Sequence, residues 1–120
     1  MPMPIRATVL FAAVLAALPA RAQFLGFGFE SNIELTKRDL EIIRTAVNGQ
    51  IHGKPVGANT SWSNPESGNF GKIKLLKKFT NDGRHCETVG YTLATKRMAV
   101  SPEHFMLSSC LQPDGRWLIM

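Results

Sequence analysis

Three histidines, His52, His85 and His104, and three acidic residues, Asp82, Glu103 and Asp114, are the side chains of this 120-residue chain best suited to acid–base chemistry. A small hydrolase would pair His85 or His104 with one of those carboxylates, the carboxylate orienting the imidazole and the imidazole activating a nucleophile or water at hydrogen-bond range. The residue types are present, but the spacing adds nothing to them. There is no nucleophile motif, no repeated ligand spacing for a metal and no glycine-rich phosphate loop. Asp82 and Asp114 are each explained by a turn, in Asn81-Asp82-Gly83 and Pro113-Asp114-Gly115. The expectation is a chain with no catalytic residue, no metal ligand and no cofactor.

The two cysteines, Cys86 and Cys110, are the other reactive side chains, and the first 22 residues set their chemistry. Arg6 precedes a twelve-residue apolar run, Ala7 to Leu18, and Pro19 ends it before Ala20-Arg21-Ala22, a small-x-small cleavage pattern. This is the layout of a secretory signal peptide, and the run is too short for the roughly 20 apolar residues of a spanning helix. The mature chain is expected to begin at Gln23, without a transmembrane span. Exported cysteine pairs are oxidised, and no C-x-x-C is present to suggest a redox site. His85 and Cys86 are adjacent and would face opposite sides of a strand, which opposes joint metal ligation. A Cys86–Cys110 disulfide is expected, stabilising the fold by about 3–4 kcal/mol in the chain-entropy picture.

The formal charge of +5 comes partly from the leader: without Arg6 and Arg21 the remainder is about +3. Such a balance permits association with anionic lipid or polysaccharide without requiring it. A nucleic-acid binder would carry a denser basic patch with interleaved aromatics, so nucleic acid is not an expected partner.

These residues need elements to position them. Residues 23–35 open with QFLGFGFESN, where Leu25, Phe27 and Phe29 alternate with Phe24, Gly26 and Gly28, and are read as a flexible apolar arm. Thr36 starts a capping box with Asp39, and Leu35 and Leu40 are placed as a hydrophobic staple. Leu40, Ile43 and Val47 recur at helical spacing, which predicts an amphipathic helix over 37–48 with its stop at Asn48-Gly49. Strands are predicted at 60–63, 72–79, 86–95, 105–112 and 117–120. Leu76 breaks the alternation of the second, and its Lys72/Lys74/Lys77/Lys78 run is read as a solvated, edge-protecting face. The fold class is α+β: one amphipathic helix on an antiparallel sheet of four to five strands, forming a single domain over 36–120.

The loop SWSNPESGNFG, Ser61 to Gly71, is read as a turn in which Pro65 presets a corner and Gly68 and Asn69 take positive φ. Trp62, Asn64 and Asn69 in this loop, with Trp117 after the second turn, are the candidate partner-binding residues, on the expectation that both loops sit at sheet ends.

SWSNPESGNFGKIK, the single cysteine before a Thr/Tyr-rich strand, and CLQPDGRWLIM resemble the bacterial 17-kDa surface-antigen domain family. The likeness covers 36–120 and rests on Trp62, Asn64, Ser67, Gly68, Asn69, Gly71, Cys86, Cys110 and the Pro113-Asp114-Gly115 turn with Trp117. Glu87 and Leu111 stand where the family often carries arginine after each cysteine, and the family's glycine-zipper segment and lipobox are missing. The resemblance implies a non-enzymatic exported envelope protein of a Gram-negative bacterium, in the periplasm or at the outer membrane. Its partner would be an envelope component, whether protein, lipid or polysaccharide. A periplasmic inhibitor of a host enzyme such as lysozyme is the alternative. Lysozyme is strongly basic, and the mildly positive charge opposes that reading.

Overall fold

The computed structural model describes residues 31–97 and 100–120; the expected signal peptide over 1–22 and the arm up to residue 30 lie outside the described residues. Among the described residues one helix, α1 (Lys37–Gln50), is followed by five strands: β1 (Asn59–Asn64), β2 (Asn69–Asn81), β3 (Arg84–Thr95), β4 (Glu103–Leu111) and β5 (Trp117–Ile119). They form one open antiparallel sheet in the order β1-β2-β3-β4-β5, so every strand pairs with its sequence neighbour. This is the helix-on-sheet architecture expected from the sequence.

The helix starts where the capping box placed it. Thr36 Oγ1 accepts from the Asp39 amide at 3.0 Å, and Asp39 Oδ2 accepts from the Thr36 amide at 2.8 Å. Its end lies further on than expected. The chain stays helical through Asn48 and Gly49 to Gln50, and the left-handed turn falls at Gly53. Burial decides this: continuing the helix delivers Ile51, wholly buried, to the core stripe of Leu40, Ile43 and Val47. Ile33 and Leu35 are buried beside that stripe, so the domain begins ahead of Thr36 and includes the last residues assigned to the arm.

The helix-facing side of the sheet carries Trp62, Ile73, Leu75, Val89, Tyr91 and Leu93. Leu76 is the extra residue of a β-bulge between Leu75 and Lys77. The bulge sends Leu75 into the core and leaves Leu76 on the opposite face, lying over Gly90. Along Lys72 and Lys74 β2 pairs on both sides, so these lysines decorate the uncovered face of an interior stretch rather than an edge. Asp82 and Gly83 both take positive φ, giving the two-residue hairpin that the Asn-Asp-Gly sequence predicted.

Candidate functional site

The first polar cluster is built by the Ser61 to Gly71 loop around Asp39. Asp39 is wholly buried in the first turn of α1. Its Oδ1 accepts from Asn64 Nδ2 at 2.8 Å and from Ser67 Oγ at 2.7 Å. Its Oδ2 accepts from Asn69 Nδ2 at 2.8 Å as well as from the Thr36 amide. Burial alone pushes this carboxyl up, but the hydrogen bonds from Ser67, the Thr36 amide, Asn69 and Asn64 outweigh it and hold the group below its ordinary value. The N-x-x-S-x-N pattern of the loop is therefore a carboxylate cradle. Gly68 supplies the positive φ of the turn and donates its amide to the Asn64 carbonyl at 2.8 Å; Asn69 does not take positive φ and starts β2 instead.

Trp62 is 4% exposed, opposite Gly71 in the β1–β2 register. A Cβ at Gly71 would meet the Thr92 carbonyl oxygen at 1.7 Å and the Trp62 indole nitrogen at 2.8 Å, so glycine there is a packing requirement. Three of the four candidate partner-binding residues, Trp62, Asn64 and Asn69, are thus turned inward, one into the core and two onto Asp39. The two loops also fall at opposite ends of the sheet, because successive turns of an antiparallel meander alternate ends. A joint surface of Trp62 and Trp117 is not formed.

Trp117 is placed differently. It lies flat against His52, with ring centroids 4.3 Å apart and planes at 3°. His52, just past the helix, donates from Nδ1 to Glu87 Oε1 at 2.7 Å, and Glu87 Oε2 accepts from the Gly53 amide at 2.9 Å. Glu87 is 1% exposed on β3. The Pro113 turn brings Trp117 here: Gly115 takes positive φ and donates its amide to the Gln112 carbonyl, and β5 folds back along β4 with Leu111 opposite Trp117.

These residues close one end of a groove of about 630 Å³ between α1 and strands β3 to β5. Val47, Val89, Leu107 and Ile119 give it apolar walls, Tyr91 and Ser109 lie on its sheet side, and Arg44 and Arg116 flank it. Burial, with the nearby Glu87 carboxylate, pushes the Tyr91 hydroxyl above the usual phenol range, so it serves the groove as a neutral group. Nothing in the local sequence marks His52, and its meeting with Glu87 requires the helix end and β3 to be packed together. The one available signal was Glu87 itself, a charged residue amid a run of strand-forming side chains.

The residues considered for hydrolysis are not brought together. His85 is exposed near the β2–β3 hairpin, and His104 is exposed with its Nδ1 3.3 Å from Thr92 Oγ1. The Arg116 amide donates to Asp114 Oδ1 at 3.0 Å and its guanidinium to Oδ2 at 2.7 Å, which hold the Asp114 carboxyl below the usual range, and Glu103 accepts from Ser31 and from the Asn32 amide. Among the described residues no three of histidine, cysteine, aspartate and glutamate gather as a metal site, and no helix is long and apolar enough to cross a membrane. Cys86 and Cys110 are bonded, as directly opposed residues of β3 and β4.

With this geometry in view, the chain is similar to the 17 kDa surface antigen of Rickettsia bellii, 26% identical over 87 residues, covering 72% of this chain and 53% of that protein. The 17 kDa surface antigen of Rickettsia conorii is 24% identical over 87 residues, with the same two shares. That of Rickettsia prowazekii is 25% identical over 85 residues, covering 70% and 52%. The chain spans about half the length of the curated relatives it matches. No family model and no solved structure matches it significantly. Over some 70% of its length, then, the chain has distant homologues named as surface antigens, and they support a place in a surface-antigen family.

Proposed function

We propose that this chain is an exported, non-enzymatic protein of a Gram-negative envelope, in the periplasm or at the outer membrane, acting as a small binding or structural domain. The observation that carries the reading is the similarity to surface antigens over most of the chain. The disulfide between β3 and β4 supports an oxidising address. The groove ending at Trp117 supports action by binding: it is concave, walled by apolar side chains and supplied with a few fixed polar groups. An inhibitor of a basic host enzyme draws less support, because the balance of about +3 that remains without Arg6 and Arg21 offers a basic partner no complementary net charge.

The test is fractionation of the producing cell combined with non-reducing mass spectrometry. A chain recovered with the envelope, starting at Gln23 and two hydrogens lighter than its dithiol, is the expected result. A cytosolic, uncleaved chain with free thiols would overturn the proposal.

A further inference from the structure

The face of the sheet turned away from α1 carries its own pattern. Lys72 and Lys74 of β2 lie there, alternating with the buried Ile73 and Leu75. The extra residue Leu76 resets the alternation, so Lys77, opposite Thr88, joins them on that face. Lys78, opposite the buried Glu87, turns back and donates to the Lys54 carbonyl at 2.8 Å. The bulge gathers three of the four lysines of the run on one side. Edge protection does not account for Lys72 and Lys74, because β2 pairs on both sides there.

No carboxylate answers these lysines. Among the described residues none of Lys72, Lys74 and Lys77 forms an ion pair. The two acidic residues of the described strands, Glu87 and Glu103, both belong to the helix-facing side, Glu103 in register with the core residue Leu93.

Beside the lysines the same face is apolar. Across the strands Lys74 is followed by Gly90 and Met106, and Phe79 by the Cys86–Cys110 disulfide and Leu118. Met106 is 72% exposed and Leu118 45%, and Leu76 lies over Gly90 at 39%. Phe70 and Phe79 stand at the two ends of the lysine row, each near an ammonium. Lys96 Nζ lies 5.8 Å from the Phe70 ring centroid, and Lys77 Nζ 5.1 Å from that of Phe79.

The two halves of this face select a partner. Lysines without carboxylates attract anions, and their long stems reach past apolar neighbours. A hydrated polyanion leaves exposed aliphatic side chains unused. A bilayer accepts them at its acyl boundary while its anionic headgroups meet the lysines. A second copy of the face would bring lysines toward lysines.

We infer that the sheet face opposite α1 is a peripheral docking surface for an anionic lipid bilayer. Lys72, Lys74 and Lys77 meet the headgroup phosphates, and Leu76, Met106 and Leu118 enter among the upper acyl chains. The bilayer is then the envelope partner of the binding role proposed above, and its assignment rests on that reading.

Vesicle co-sedimentation of the mature chain tests it, with mixed phosphatidylglycerol–phosphatidylcholine vesicles set against pure phosphatidylcholine. Binding to the anionic vesicles alone, weakening with salt, is expected. Lys72→Gln/Lys74→Gln/Lys77→Gln should lower the affinity roughly 100-fold, at about fivefold per lysine. Lys37→Gln/Lys54→Gln/Lys78→Gln, equal in net charge but altered elsewhere on the surface, should bind like the parent. Equal loss in both variants would overturn this face as the site. Equal binding to both vesicle types, or binding to neither, would overturn an anionic bilayer as the partner.

Met106→Ser/Leu118→Ser changes two exposed side chains and should weaken vesicle binding several-fold with an unchanged circular dichroism spectrum. Unchanged affinity there, with the Lys72/Lys74/Lys77 variant still weakened, would overturn the bilayer in favour of a polyanion such as an acidic polysaccharide. Recovery of the chain with the envelope but no vesicle binding would sink the docking surface and leave the export proposal standing.

Discussion

The Asn64 side-chain amide donates to Asp39 Oδ1 at 2.8 Å across 25 residues of chain. One buried carboxylate thus caps the helix from within and ties it to the β1–β2 loop. Replacing Asp39 by alanine removes the reciprocal half of the capping box and takes a buried acceptor away from Asn64, Ser67 and Asn69. A loss of about 3 kcal/mol or more is expected in chemical denaturation. Asp39→Asn should cost nearly as much, since its amide would present hydrogens to groups that already donate.

Acid should expose the same carboxylate. Its folded pKa lies below the ordinary 3.8, so its contribution is fully present above that value and is lost as pH falls through the folded value. Denaturation midpoints of the parent should therefore decline below about pH 4, and those of Asp39→Asn should decline less over the same range.

Two glycines separate packing from propensity. Gly71→Ala should abolish folding, because the new methyl would overlap the Thr92 carbonyl and neither strand can yield. Gly49→Ala meets open space inside a helix turn and should stabilise the domain by about 1 kcal/mol, measured by thermal unfolding.

The tryptophans should behave unlike each other. Trp62→Ala removes a core side chain and is expected to cost about 3–5 kcal/mol. Trp117→Ala leaves the domain folded, as judged by circular dichroism, and changes what the groove binds. His52→Ala should shift the emission of Trp117 by removing the ring stacked on it, with little change at Trp62.

Reduction should weaken the fold without dismantling it. The Cys86→Ser/Cys110→Ser variant is expected to be about 3–4 kcal/mol less stable in urea, and the parent in reductant should match it.

Local sequence was enough for most of the frame. The capping box at Thr36 and Asp39, the Leu40-Ile43-Val47 stripe, the Asn-Asp-Gly hairpin and the cysteine pair are short-range or compositional signals, and the structure has each of them. Periodicity and turn chemistry act within a few residues, so they can be read in one pass. The helix end at Gln50 could not be read that way, because burial of Ile51 outweighs an Asn-Gly stop only when there is a sheet to bury it against. Nor could the work of the Ser61 to Gly71 loop be read. Its asparagines looked like surface groups until the fold placed a carboxylate among them, and Glu87 and His52 meet only through packing of the helix end on β3. The sequence by itself determined which segments became helix, strand and turn, since backbone preferences are local. Only the tertiary structure decided which polar side chains face each other and which face water, because burial is a property of the whole chain.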